Sequence, residues 1–195
     1  EESAKKFGDK NAFIIKEKIE QDPKYKYITY KKLKEDVDAL GQGLISMGLK
    51  NKRIAIIGKN SYEWGLSYLT VLSSVGICVP LDKGLKQDEI ESLITRSKTD
   101  CIIFDSQYLD EIKQIQENGN TFITNYVCMK ENSNGYTSIK EIIEIGKKEL
   151  KEGKKDVFEY KMDPNEMAVI LFTSGTTSIS KAVMLSQDNI LSNIY

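Results

Sequence analysis

The order of apolar and polar residues predicts an alternation of strands and helices. Asn11 to Lys18 and Tyr25 to Tyr30 are two β-rich stretches around Asp22-Pro23, the pattern of paired extended segments. Leu33, Val37, Leu40, Leu44 and Met47 then recur at helical spacing, with Thr29 as candidate N-cap and Gly48 as stop. Arg53 to Gly58 is a continuous apolar run, as expected of a strand buried on both faces. Asn60 or Ser61 is placed to cap the helix that begins near Trp64. Further strands are predicted at Cys78 to Leu81, Asp100 to Asp105 and Thr121 to Met129. Helices are predicted over Gln87 to Lys98, after Ser106 (Leu109, Ile112, Ile115), and after Thr137 (Ile139, Ile142, Ile143, Leu150). This alternation is the signature of an α/β fold: a mostly parallel layered sheet with helices on both faces. Residues 1–150 are expected to form that layered portion of a domain. Residues 151–195 are expected to carry a linker, a strand, a loop and a following strand, with Lys147 to Lys155 as solvated helix end and linker.

One uncharged stretch, Trp64 to Leu81, nearly reaches the length of a membrane span. Its Ser67, Thr70, Ser73 and Ser74, followed by Gly76 and Pro80, favour a core helix ending at Gly76 and a short core strand. No membrane span is therefore expected, which leaves room for peripheral membrane contact.

Composition narrows the chemistry. The 195 residues include no histidine, which removes Ser-His-Asp and Cys-His nucleophile pairs and histidine-based metal sites. Charge is balanced, with 28 basic and 29 acidic residues, and only Arg53 and Arg96 are arginines. Nucleic-acid binding normally needs a basic field and bidentate arginines, so no nucleic-acid partner is expected. Cys78, Cys101 and Cys128 are far apart, each within an apolar run, and read as buried free thiols. Free thiols and the lack of an Asn-x-Ser/Thr sequon fit a reducing cytoplasmic setting. No metal site is expected.

The candidate chemistry lies near the end of the sequence. The apolar strand Met167 to Phe172 runs into Thr173-Ser174-Gly175-Thr176-Thr177-Ser178-Ile179-Ser180-Lys181, and Ala182 to Ser186 reads as another strand. Ser186 or Asp188 can cap a helix starting near Asn189. Six of the nine loop residues are Ser or Thr, and the one charge is Lys181. Backbone N–H groups in a turn can cradle an anion, and hydroxyls add rotatable donors. Gly175 permits close approach, and Lys181 supplies a compact positive charge. The stretch is thus a candidate polyphosphate cradle at the carboxyl end of a strand. Composition alone favours the plainer reading of a Ser/Thr-rich surface loop with a solvated lysine. Gly175 and Lys181 have the spacing of a Walker loop. However, Ser180 replaces its second glycine, Ala182 replaces its metal-binding hydroxyl, and Val183-Met184-Leu185 favours a strand over a helix.

Phe172 to Ser186 resembles the AMP-binding signature of the acyl-adenylate-forming enzymes, whose pattern is Thr-Ser-Gly-Thr-Thr-Gly-x-Pro-Lys. Thr173, Ser174, Gly175, Thr176, Thr177 and Lys181 match it. Asn60-Ser61-Tyr62-Glu63-Trp64, Gly76 to Leu81 and Glu89-Ile90 also resemble that family, most closely its fatty-acyl-CoA ligase branch. Ser178 stands where glycine is usual, Ser180 where proline is usual, and Gln187 where histidine is frequent. The first change makes the loop less permissive and the second makes it less pre-set. The resemblance implies a ligase of fatty-acid metabolism. A carboxylic acid and ATP, with Mg2+, give an acyl-adenylate and pyrophosphate, and the acyl group passes to CoA. It implies that Thr173, Ser174, Thr176 and Thr177 donate to phosphates and that Gly175 gives flexibility. Lys181 is the implied catalytic residue, stabilising the leaving pyrophosphate. Two other readings stay open: a non-catalytic relative acting as a binding module, and an adenylation domain that loads a carrier protein. The family's remaining pockets, its metal-binding carboxylate and its mobile C-terminal domain follow this region in sequence. The chain is therefore expected to be the N-terminal part of a larger enzyme, without turnover of its own.

Overall fold

A computed structural model describes residues 1–17, 24–131, 135–161, 163–173 and 180–192. The chain opens with a short helix, α1 (Glu2–Phe7), and an antiparallel pair, β1 (Asn11–Glu17) and β2 (Lys24–Thr29). The Asp22-Pro23 turn lies outside the described residues. Thr29 ends β2 and caps α2 (Tyr30–Ser46), its hydroxyl accepting from the Lys32 N–H at 3.2 Å.

From there strands and helices alternate: β3 (Arg53–Ile57), α3 (Tyr62–Thr70), β4 (Ile77–Pro80), α4 (Gln87–Arg96), β5 (Cys101–Phe104), α5 (Leu109–Asn118), β6 (Asn125–Cys128), β7 (Thr137–Ser138), α6 (Ile139–Lys151) and α7 (Asp156–Glu159). β8 (Met167–Thr173), β9 (Lys181–Ser186) and α8 (Gln187–Leu191) follow. Seven strands form one sheet in the order β7-β6-β5-β3-β4-β8-β9. All its pairings are parallel except β8 with β9.

Strand side chains alternate between faces, and both faces are covered. Ile54 and Ile56 of β3 and Cys101 and Ile103 of β5 pack with Leu40 and Leu44 of α2, Leu66 of α3 and Ile142 of α6. Ala55, Ile57, Ile102 and Phe104 face the other way, against Ile90 and Ile94 of α4 and Ile112 and Ile115 of α5. This double covering is why β3 and β5 read as unbroken apolar runs. Cys78, Cys101 and Cys128 are free and buried in β4, β5 and β6, as their apolar neighbours predict. Burial pushes the Cys78 and Cys101 thiols up, which holds them protonated and unreactive.

The Trp64 to Leu81 stretch is helix α3, a π-helical turn over Val71–Val75, and strand β4. Gly76 follows the helix as expected, but for a different reason than a left-handed cap: its φ is 176°, and a Cβ there would overlap the Lys52 carbonyl. Among the described residues no helix is long and apolar enough to cross a membrane.

Several boundaries differ from expectation. β6 covers only Asn125–Cys128, and Phe122 before it is exposed. Asp105, not Ser106, accepts from the Gln107 N–H and opens the 3-10 turn leading into α5. Ser138, not Thr137, caps α6. Its hydroxyl accepts from the Glu141 N–H at 3.2 Å, and the Glu141 carboxylate accepts from the Ser138 N–H at 2.7 Å. Thr137 is instead paired with Val127 in β7.

The charged Lys147 to Lys155 stretch does more than link. Beyond it, α7 returns to α2 and buries Val157. The fully buried Gln42 amide of α2 donates to Glu149 at 3.0 Å and to Asp156 at 2.9 Å, and accepts from the Val157 N–H at 3.3 Å. Lys154, then Ser46 and Gln42, hold the Glu149 carboxyl down at about 2.

Candidate phosphate-binding site

β8 enters the sheet beside β4, with Val169 opposite Cys78, and Ala168, Val169 and Ile170 are buried there. Its last residues leave the core: Leu171 is 36% exposed, Phe172 is half-buried and Thr173 is exposed. β9 returns antiparallel, pairing Phe172 with Ala182 and Thr173 with Lys181. The two ends of the Ser/Thr-rich segment are therefore register partners. This places the first hydroxyl of the motif across the ladder from its lysine. Ser174, Gly175, Thr176 and Thr177, with Ser178 and Ile179, lie outside the described residues.

Lys181 is exposed and makes no ion pair among the described residues. An exposed ammonium opposite the Thr173 position can attract a phosphate group. No carboxylate is present in β8 or β9, so neither strand offers a carboxylate ligand for a divalent cation.

The segment after the loop is tied down. Ser186 caps α8, its hydroxyl accepting from the Asn189 N–H at 3.2 Å, as the sequence pattern allowed. Gln187 donates from Nε2 to the Leu72 carbonyl at 3.0 Å. Leu72 lies in the π-helical turn, where the regular i→i+4 ladder is interrupted. A glutamine amide thus supplies a donor that an imidazole N–H could also supply.

Sequence reasoning missed Arg96 as a part of this site. Its Nη2 donates to the Ser180 carbonyl at 2.8 Å, and its guanidinium carbon lies 5.5 Å from the centre of the Phe172 ring. The scarcity of arginine in the chain was the one available signal.

A separate cleft of about 510 Å³ lies among α1, α2 and α7, lined by Tyr30, Leu33, Val37, Asp38, Phe158 and Tyr160 among others. No residue of β8 or β9 lines it. Burial raises the Asp38 carboxyl there, against the lowering effect of Lys34.

The family model of AMP-binding enzymes matches residues 1–195. The chain belongs to the AMP-binding enzyme family. Members of this family use ATP. Long-chain-fatty-acid–CoA ligase ACSBG2 from Homo sapiens is 29% identical over 195 residues, covering 97% of this chain and 28% of that protein. Bacitracin synthase 2 from Bacillus licheniformis is 26% identical over the whole chain, which spans 6% of it. The chain therefore spans little more than a quarter of the fatty-acid ligase. Among solved structures, the long-chain-fatty-acid-CoA ligase FadD1 from Archaeoglobus fulgidus superposes with a TM-score of 0.79 at 22% identity, covering 98% of this chain and 36% of that one. ATP-bound MatB from Rhodopseudomonas palustris gives 0.67 at 25% identity, covering 97% and 35%. The fold thus corresponds to about a third of each of these two solved chains.

Proposed function

We propose that this chain is the phosphate-binding portion of an AMP-forming carboxylate–CoA ligase acting on a fatty acid. The observation that carries the reading is the pairing of Thr173 across the β8–β9 ladder with an exposed Lys181 that makes no ion pair among the described residues, within a signature of phosphate-binding residue types. In this reading Thr173, Ser174, Thr176, Thr177 and the backbone around Gly175 donate to the β- and γ-phosphates of ATP. Lys181 neutralises charge that builds on the leaving pyrophosphate as the carboxylate attacks the α-phosphorus. The nucleotide and its Mg2+ would enter as a complex. The acyl group then leaves AMP for the thiol of CoA, with AMP departing. Residues 1–150 form the layered support and residues 151–195 the catalytic edge of this portion.

Carboxylate-dependent exchange of labelled pyrophosphate into ATP by the full-length protein, across fatty acids of different length, tests the reading. Exchange that needs a fatty acid, followed by acyl-CoA formation, supports it. Nucleotide binding without exchange over a broad carboxylate panel would instead identify a non-catalytic binding module. The match to bacitracin synthase 2 favours one second reading, acyl transfer to a carrier protein. Thioester formation on a phosphopantetheinyl protein in place of CoA would establish it.

A further inference from the structure

Only two of the 28 basic residues are arginines, and each donates to a main-chain carbonyl. Arg53 Nη1, at the start of β3, donates to the Ser97 carbonyl at 2.7 Å. Ser97 is the C-cap of α4, and its hydroxyl is bonded to the Leu93 carbonyl at 2.7 Å and to Thr99 Oγ1 at 2.8 Å. Arg96, the last residue of α4, is thereby seated on backbone that the central strand holds in place. From that seat its guanidinium lies over the Phe172 ring and donates to the Ser180 carbonyl. Phe172 immediately precedes Thr173, and Ser180 immediately precedes Lys181. One side chain therefore grips both sides of the candidate phosphate-binding segment.

We propose that Arg96 is a positioning residue for that segment, fixing its two ends so that Thr173 and Lys181 stay opposed when nucleotide binds. The proposal rests on the phosphate-binding reading above. Its physical basis is the serine at position 180, which leaves φ of the loop end free. A proline there would limit φ and reduce the conformations the loop end can sample, and serine does not. Arg96 supplies the missing restraint from outside the loop. A guanidinium suits this task because its flat face stacks on an aromatic ring while its edge donates a hydrogen bond. Lysine would keep the charge but not the combined stack and fork. The Ser180 contact uses the carbonyl oxygen, which a proline would retain, so Ser180→Pro and Arg96 are alternative restraints on the same segment. Their effects should couple strongly.

The test compares wild type, Arg96→Ala, Arg96→Lys, Ser180→Pro and the Arg96→Ala/Ser180→Pro double variant in the full-length protein. The readouts are kcat and the KM for ATP in pyrophosphate exchange. Arg96→Ala should raise the KM for ATP about tenfold with a smaller change in kcat, and Arg96→Lys should recover only part of this. Ser180→Pro should recover most of it in the Arg96→Ala background and do little in wild type. An unchanged KM in Arg96→Ala, or a Ser180→Pro effect equal in both backgrounds, would overturn the proposal. Full recovery by Arg96→Lys would also overturn it, since charge alone would then suffice. If wild type shows no carboxylate-dependent exchange, the proposed function fails and Arg96 is judged by its effect on the β8–β9 ladder alone. Amide hydrogen exchange of the same proteins should then quicken at Thr173 and Lys181 in Arg96→Ala while β3 and β5 stay protected. Unchanged exchange at those two amides would overturn the role of Arg96 by itself.

Discussion

β3 and β9 are both short apolar strands of one sheet, and their surroundings are opposite. Ile54, Ala55, Ile56 and Ile57 are completely buried, whereas Val183 is 40% and Met184 67% exposed. β3 lies between β5 and β4 with helices over both faces, while among the described residues β9 pairs with β8 alone, at the edge of the sheet. Apolar character therefore reports burial only where a strand is central. At the edge it builds an antiparallel pair in which Thr173 faces Lys181 across the ladder. Under the proposed function the work divides accordingly: the centre carries stability, and the edge carries chemistry.

The largest expected effect is at the centre. Phe104→Ala in β5 removes a fully buried ring and should cost about 3–5 kcal/mol in urea denaturation. A loss below about 1 kcal/mol would break the contrast. Next comes Lys181→Ala at the edge. Pyrophosphate exchange by the full-length protein should fall about hundredfold or more, with the denaturation midpoint nearly unmoved. An unchanged rate would remove Lys181 from the mechanism, and a large stability loss would make the edge a structural element like the centre.

A smaller effect is expected where α6 and α7 meet α2. Glu149 is lowered to about 2 by Lys154, Ser46 and Gln42. A lowered folded value means the stabilisation is fully present above the ordinary glutamate range near ~4.3 and is lost as pH falls from there through the folded value. Glu149→Gln should therefore flatten the acid limb of the stability–pH curve between about pH 4.3 and about pH 2, with Lys154→Ala doing so in part. An identical acid limb in the variant would show that the network carries no titrating stabilisation. The smallest effect is Met184→Ser on exposed β9, within about 0.5 kcal/mol of wild type. A larger loss would mean that this strand is covered in solution.

Much of this was legible in local pattern. The α2 stripe, the doubly buried runs of β3 and β5, and the two strands flanking residues 174–179 follow from side-chain period alone. Caps were legible only to within one residue. Asp105 beside Ser106, and Ser138 beside Thr137, are competent neighbours, and the choice between them depends on what else each residue must do. Thr137 belongs to β7, which leaves Ser138 to cap α6. The long-range contacts, those of the candidate site included, had no local trace. Arg96 meets Ser180 across 84 positions, Gln187 meets Leu72 across 115, and Gln42 meets Asp156 across 114.

By itself the sequence determined the element types, the absence of histidine chemistry, and a Ser/Thr-rich stretch, Thr173 to Lys181, that resembles the AMP-binding signature. These depend on period, composition and neighbours within a few residues. Only the tertiary structure decided that β3 is central and β9 is an edge, that Thr173 opposes Lys181, and that Arg96 reaches the loop. Those outcomes depend on which distant segments can bury their apolar faces together, and that choice is made by packing and chain closure rather than by local preference.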